Sequence, residues 1–181
     1  KWKRENKDSE IILKEASNRG TLMHNYLSEM LMGKMNGELI EEVNLPKKMA
    51  ETIISHGLND YVKEVYASEE CVYSLKYKYA GTMDALISTQ DNKLQTCDFK
   101  QKNSPAKREY SSIRNYFTQC ILYSIAHNEI HGTNIQSCII LMCTPNLIFQ
   151  KFEIEGQEFM DLQKEALERV ERYHELVNQN I

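Results

Sequence analysis

Apolar residues recur at helical spacing over Glu10–Gly33, where Leu22, Tyr26, Leu27, Met30 and Leu31 form one stripe and His24 lies off its centre. Asn18-Arg19-Gly20-Thr21 reads as a break or cap ahead of the segment LMHNYLSEMLM. Gly33 to Leu45 has loop composition, and Pro46 suits the first turn of a second helix, KKMAETIISHGL, which Gly57 ends. A further short helix is expected from Asn59 to about Val65. The pattern then turns to strands at Glu64–Leu75, Lys78–Thr89 and Lys93–Lys102, with Gln90-Asp91-Asn92 as the turn between the last two. Ser104-Pro105 marks a loop, and helical spacing returns from Glu109 to His131, offering Ile113, Phe117, Ile121, Leu122 and Ile125 for burial. Ile135–Thr144 is a continuous apolar run of strand length, as expected for a strand covered on both faces. Leu147–Ile154 alternates as its hairpin partner across Pro145-Asn146, and Gly156–Asn178 reads as a charged amphipathic helix.

Helices, a three-stranded meander, a helix, a strand pair and a last helix predict an α/β fold with a mixed central sheet flanked by helices. The 109–131 helix is the crossover between the meander and the 135–144 strand. No repeat or interdomain linker interrupts the chain, which reads as one domain over 1–181. Its parts are N-terminal helices over 1–62, a core over 63–145, and a closing strand and helix over 146–181.

Composition changes this picture little. Hydrophobic residues make up 41% and charged residues 27%, ordinary for a globular domain. No apolar run approaches the length of a membrane span, and the polar start KWKRENKDSE is unlike a signal peptide. The chain opens on Lys1 rather than methionine, so a fragment is expected. Five cysteines, an odd number without paired spacing, point to reduced thiols in an intracellular compartment, whether cytoplasm, organelle or infected host cell. The net charge of −4 argues against a non-specific nucleic-acid coat but not against an enzyme whose acidic side chains hold metal.

Candidate chemistry concentrates in Tyr79–Lys100, YAGTMDALISTQDNKLQTCDFK. Asp84 and Asp98 sit among apolar neighbours on two strands joined by a turn, and alternation puts Lys100 on the same face as Asp98. Burying two carboxylates and a lysine together is costly unless something compensates their charge. A divalent ion would supply that compensation and leave the lysine to face a scissile phosphate, so the segment reads as a nuclease site. Lys102, Lys107, Arg108 and Arg114 follow with few acids between them. Alone they would be a solvated loop; beside a metal site, contact with phosphates is the better reading.

In these residues the chain resembles the PD-(D/E)XK nuclease superfamily, in particular its RecB-like exonuclease branch, which includes the mitochondrial genome maintenance exonuclease and phage and bacterial enzymes. Four signatures occur in order: His24 in RGTLMH, Asp84 in the GxxD of AGTMDAL, Asp98 and Lys100 in the DxK of CDFK, and Gln119 and Tyr123 in the QxxxY of NYFTQCILY. They span roughly residues 17–145. The resemblance implies that His24, Asp84, Asp98 and the carbonyl of Phe99 hold one or two divalent ions. Such an oxygen-rich set suits Mg²⁺ or Mn²⁺, the imidazole shifting preference toward Mn²⁺. Lys100 would orient the attacking water or stabilise charge on the phosphoryl oxygens. Gln119 and Tyr123 share a helix face that would help position the strand and the lysine. Glu69 or Glu70 would add a carboxylate, and the sequence does not choose between them.

The implied activity is metal-dependent hydrolysis of DNA, as an exonuclease on single-stranded ends in repair, recombination or replication, with a helicase or single-strand-binding protein as a conceivable partner. Alternatives are a double-strand exonuclease of the lambda type and a module that binds nucleic acid without cleaving. Tyr110, Tyr116 and Phe117 could stack bases or serve the core. Some relatives hold an iron–sulfur cluster with three cysteines near the C-terminus. Here Cys71, Cys97, Cys120, Cys138 and Cys143 end at position 143 and read as buried small hydrophobes, so no cluster is expected. His56, His127, His131 and His174 make no zinc spacing with them.

Overall fold

The computed structural model describes residues 9–33, 44–109 and 111–179. Tyr110 and most of the expected 33–45 loop lie outside the described residues. The elements are α1 (Ser9–Leu31), α2 (Leu45–Ile53) with a π-helical turn Ile54–Leu58, β1 (Val62–Ser74), β2 (Tyr79–Thr89), β3 (Leu94–Gln101), α3 (Ser111–His131), β4 (Ser137–Cys143), β5 (Phe149–Glu155) and α4 (Gly156–Asn178). One five-stranded sheet runs β1-β2-β3-β4-β5. Only the β3–β4 pair is parallel, and α3 is the crossover that makes it so. The expected mixed α/β architecture is the observed one.

Helices cover both faces of the sheet. On one face Met23 and Leu27 of α1 and Met49, Ala50 and Ile53 of α2 pack on Ala85, Ile87, Cys97, Phe99, Ile139 and Leu141. On the other, Ile113, Phe117 and Ile121 of α3 and Phe159, Leu162 and Ala166 of α4 pack on Cys138, Ile140, Met142, Phe152 and Ile154. Strand β4 is therefore buried along its whole length, which explains its unbroken apolar sequence. Glu129 of α3 anchors the β1–β2 hairpin by accepting from Ser74 Oγ at 2.5 Å and from the N–H groups of Leu75 and Lys76 at 2.9 and 3.1 Å.

Several local expectations fail. Helix α1 runs unbroken through Asn18–Thr21, because one glycine costs only about 1 kcal/mol in a helix that tertiary packing supports. Its buried face centres on Met23 and Leu27, while Leu22 is exposed. Gly57 does not end a helix but sits in the π turn, where a Cβ would lie 3.0 Å from Leu141 Cδ1 and Phe149 Cζ. The small residue lets the turn press on the sheet. No helix follows at Asn59–Val65, since β1 already starts at Val62. Cys71 is exposed on β1, unlike the other four cysteines, and all five are free thiols. Among the described residues no helix is long and apolar enough to cross a membrane.

Candidate active site

The site lies where β1, β2 and β3 stop behaving as regular strands. Pairing of β2 with β3 runs from Ser88↔Leu94 to Ala85↔Cys97 and ends there, although the next residues in register are Asp84 and Asp98. In place of a ladder bond, the Phe99 N–H donates to Asp84 Oδ2 at 2.7 Å. The other edge of β3 stays paired with β4 from Thr96↔Cys138 to Gln101↔Cys143. Strand β3 thus offers a rigid edge to the core and a forked edge to the site.

A second irregularity sits opposite. Glu69 lies between the pairs Ser68↔Ala85 and Glu70↔Met83, so it faces Asp84, and its φ is +53°. A left-handed glutamate is uncommon and interrupts side-chain alternation. Ser68 and Glu69 accordingly both turn to α1, Ser68 Oγ bonding Ser28 Oγ at 3.1 Å, whereas Glu70 turns to α3, 3.9 Å from His131 Nε2. Strand β2 flips in step: Met83 and Leu86 pack with Ala126 of α3, while Asp84 and Ala85 face α1. Of the two glutamates, Glu69 lies beside His24 and Glu70 beside His131.

His24 Nδ1 lies 3.6 Å from Glu69 Oε1 and 3.6 Å from Asp84 Oδ2. Ligand atoms of His24, Glu69 and Asp84 all fall within 4.8 Å of one another, a spacing from which one cation could be held. Helix α1 is brought to this position by Arg19, whose guanidinium donates to Gln101 Oε1 at 3.1 Å and Asn103 Oδ1 at 2.5 Å, and by Gln101 Nε2, which donates to the Ala16 carbonyl at 3.0 Å.

Asp98 is 1% exposed, and Lys100 Nζ donates to its Oδ1 at 2.6 Å. Oδ2 is also 2.6 Å from that nitrogen, so one ammonium faces both oxygens of the buried carboxylate. Burial pushes the Asp98 carboxyl up from 3.8 to about 7; Lys100 opposes the shift and the charge of Asp84 adds to it. Burial would pull Lys100 down, but the charges of Asp98 and Asp84 outweigh it and hold the ammonium above its usual range. Glu69 is raised by burial and then by Asp84, with His24 and Lys100 opposing. Three carboxylates therefore share one lysine and one imidazole.

From α3, Gln119 Nε2 donates to Tyr123 Oη at 2.7 Å. The Tyr123 ring lies over Gly81, where a Cβ would be 2.5 Å from Tyr123 Cε1. Only glycine admits that approach, which gives the GxxD segment its first residue a packing reason. Lys100 Nζ also sits 5.1 Å from the centroid of Tyr116.

The basic residues divide. Lys102 Nζ donates to Ser112 Oγ at 2.9 Å and Lys107 is exposed. Arg108 bonds Glu158 at 2.6 Å and the Glu153 carbonyl at 3.0 Å, and Arg114 pairs with Glu165, so both arginines brace α4. Phe117 is 2% exposed and belongs to the core rather than to a stacking surface.

No protein-family model and no curated protein matches the sequence. Among solved structures the chain is similar to a candidate exonuclease from Eubacterium rectale, at a TM-score of 0.58 and 18% identity, over 89% of this chain and 66% of that one. The chain thus spans just under two thirds of that protein's length, and the likeness establishes a shared fold. An alkaline exonuclease from Laribacter hongkongensis is similar at a TM-score of 0.35 and 13% identity, over 86% of this chain and 83% of that one, which is too loose to add to it. The fold is a mixed α/β core of the kind that the Eubacterium rectale protein has.

Proposed function

We propose that the chain is a metal-dependent deoxyribonuclease of the RecB-like kind, acting as an exonuclease on single-stranded DNA ends. The observation that carries this reading is the convergence of His24, Glu69, Asp84, Asp98 and Lys100 at the fork in the sheet.

The donor set fits a divalent ion. Three carboxylates outnumber the nearby cations, and burial has raised Asp98 toward neutrality. An added dication would relieve both conditions at once. His24, Glu69, Asp84, Asp98 and the Phe99 carbonyl would hold it, and the oxygen-rich set with one imidazole suits Mg²⁺ or Mn²⁺. Such an ion supplies Lewis acidity toward a phosphoryl oxygen and a water.

The chain's own residues do the positioning. Lys100, held by Asp98 and by the face of Tyr116, points an ammonium at the place where phosphoryl charge would grow. Tyr123, seated on Gly81 and bonded by Gln119, closes the α3 side of the same space. Lys107, which is exposed, is the nearer candidate for phosphate contact, because Lys102 is held by Ser112 and Arg108 and Arg114 would first have to leave their partners on α4.

Digestion of end-labelled single-stranded and duplex DNA with Mg²⁺, Mn²⁺ or EDTA tests the proposal, with Lys100→Ala as control. Metal-dependent loss of the single strand that the variant lacks is the expected result. No cleavage with either metal, or equal cleavage by the variant, would overturn it.

A further inference from the structure

The left-handed backbone at Glu69 sends two adjacent carboxylates to opposite faces of the sheet, each beside a histidine. Glu69 joins the site already described. Glu70 reaches the α3 face, where its Oε1 lies 3.9 Å from His131 Nε2. His127 and His131 stand on neighbouring turns of α3, with ring centroids 4.4 Å apart. Histidines at i and i+4 project from one side of a helix, the spacing with which helical metal sites present a pair of imidazoles. No step of the proposed hydrolysis uses this cluster. Glu129, between the two histidines in sequence, is already committed to the β1–β2 hairpin.

The neighbours of His127 hold it in the tautomer a metal needs. Asn128 accepts the Ile135 N–H at 2.8 Å and donates to the Ile135 carbonyl at 3.1 Å, which settles the orientation of its amide. Thr133 Oγ1 gives its one proton to Asn128 Oδ1 at 2.8 Å. The 2.9 Å contact between Thr133 Oγ1 and His127 Nδ1 is then a donation from Nδ1–H. Burial, and then the neighbouring His131, lowers the His127 pKa, so the ring is neutral at pH 7.5 and Nε2 carries the lone pair. Metal-bound histidines are usually held this way, one ring N–H fixed by a hydrogen bond and the other nitrogen left to donate. Nε2 of His127 has no hydrogen-bond partner among the described residues. Both rings line a cleft of about 470 Å³, which gives an ion a way in from solvent. The side chains of His131 and Glu70 are 46% and 35% exposed, so a change of rotamer can bring them onto an ion at His127.

We propose that His127 Nε2, His131 and Glu70 form a Zn²⁺ site that ties β1 to α3. Two neutral imidazoles and one carboxylate match the donor sets of Zn²⁺ and are too poor in oxygen for Mg²⁺ or Ca²⁺. The His24 site on the other face is rich in carboxylates and has the opposite preference, so one sheet carries two sites for two classes of cation. The third donor comes from a neighbouring strand rather than from a cysteine, which is why no zinc spacing shows along the chain. Bound Zn²⁺ fixes Glu70, and with it the left-handed backbone that presents Glu69 to His24. The site uses none of the residues of the proposed hydrolysis and stands or falls apart from it.

The test is a titration of Zn²⁺ at pH 7.5 into the full chain carrying Asp84→Asn, which takes a carboxylate from the His24 site. Affinity is read by competition with a chromophoric zinc chelator, and location by the NMR ring signals of His127 and His131. The expected result is saturable Zn²⁺ binding that shifts both rings and raises the thermal midpoint, with no ring response to Mg²⁺. His131→Ala should abolish that binding, and Thr133→Val, which frees His127 Nδ1, should weaken it about tenfold. His131 is a surface side chain, so His131→Ala should keep the metal-free thermal midpoint and its loss of binding cannot be ascribed to unfolding. Zn²⁺ held as tightly by His131→Ala or by Thr133→Val, binding that leaves both rings unshifted, or no binding at all would overturn the proposal. DNA cleavage is not among these readouts, so neither outcome bears on the hydrolytic reading.

Discussion

The two edges of β3 make an instructive contrast. Along β4, every residue from Thr96 to Gln101 keeps its register partner, and Asp98 and Lys100 are backed by Ile140 and Met142 in an apolar layer. Along β2 the ladder stops at Cys97, a carboxylate takes over one backbone N–H, and across β2 Glu69 adopts a left-handed conformation. One edge is satisfied in every respect and the other collects uncompensated negative charge. The second is tolerable only because the first holds the strand in place. Stability and reactivity are thus separated by the width of a single strand.

Substitutions on the two edges should behave in opposite ways. Lys100→Ala should cut DNA hydrolysis about a thousandfold. It should also lower metal-free stability at pH 8 by roughly 3 kcal/mol, since Asp98 loses the counter-ion that lies 2.6 Å from it, and Mg²⁺ should return part of that loss. On the apolar edge, Leu141→Ala removes a fully buried side chain and should cost about 3 kcal/mol while leaving activity per folded molecule unchanged. Chemical denaturation beside a cleavage assay separates the two patterns; an inactive but stable Leu141→Ala would break the contrast.

The metal-free protein should also carry a pH signature. Asp98 has its folded pKa raised to about 7 from 3.8, so the native state binds the proton more tightly than the unfolded chain. Its stabilising share is complete below about pH 4 and is lost as pH rises to about 7. Thermal midpoints in EDTA should decline across that window beyond what the other groups contribute, and Asp98→Asn should flatten the decline. Saturating Mg²⁺ should oppose it, because an ion favours the ionised carboxylate.

Gly81→Ala gives the smallest effect and the sharpest geometry. The new methyl would press on Tyr123 Cε1, costing about 1–3 kcal/mol. In a Tyr123→Ala background that cost should nearly vanish, a coupling that a double-mutant cycle reads directly. Additive costs would show that Tyr123 does not rest on Gly81.

Much of this was legible in the sequence wherever periodicity was regular. The mixed sheet, the crossover helix, the buried β4 and the placing of Asp98 and Lys100 on one face of β3 all follow from spacing, whereas their ion pair does not. Legibility failed where a local rule was broken by tertiary structure. Alternation along SEECV does not reveal that Glu69 turns to α1 and Glu70 to α3, because the left-handed residue that reverses the pattern is not a glycine. The basic run 107–114 gave no sign that Arg108 and Arg114 would pair with α4, about 50 residues later, since ion pairs of that separation leave no local pattern.

The central claim is that the forked edge of β3 is a metal site. Calorimetric titration of Mn²⁺ into the wild-type chain and into Asp84→Asn at pH 7.5 tests it most directly. The account predicts saturable binding to the wild type that Asp84→Asn loses or weakens at least tenfold. Binding of equal strength in both would contradict it, as would a wild-type chain that binds no Mn²⁺.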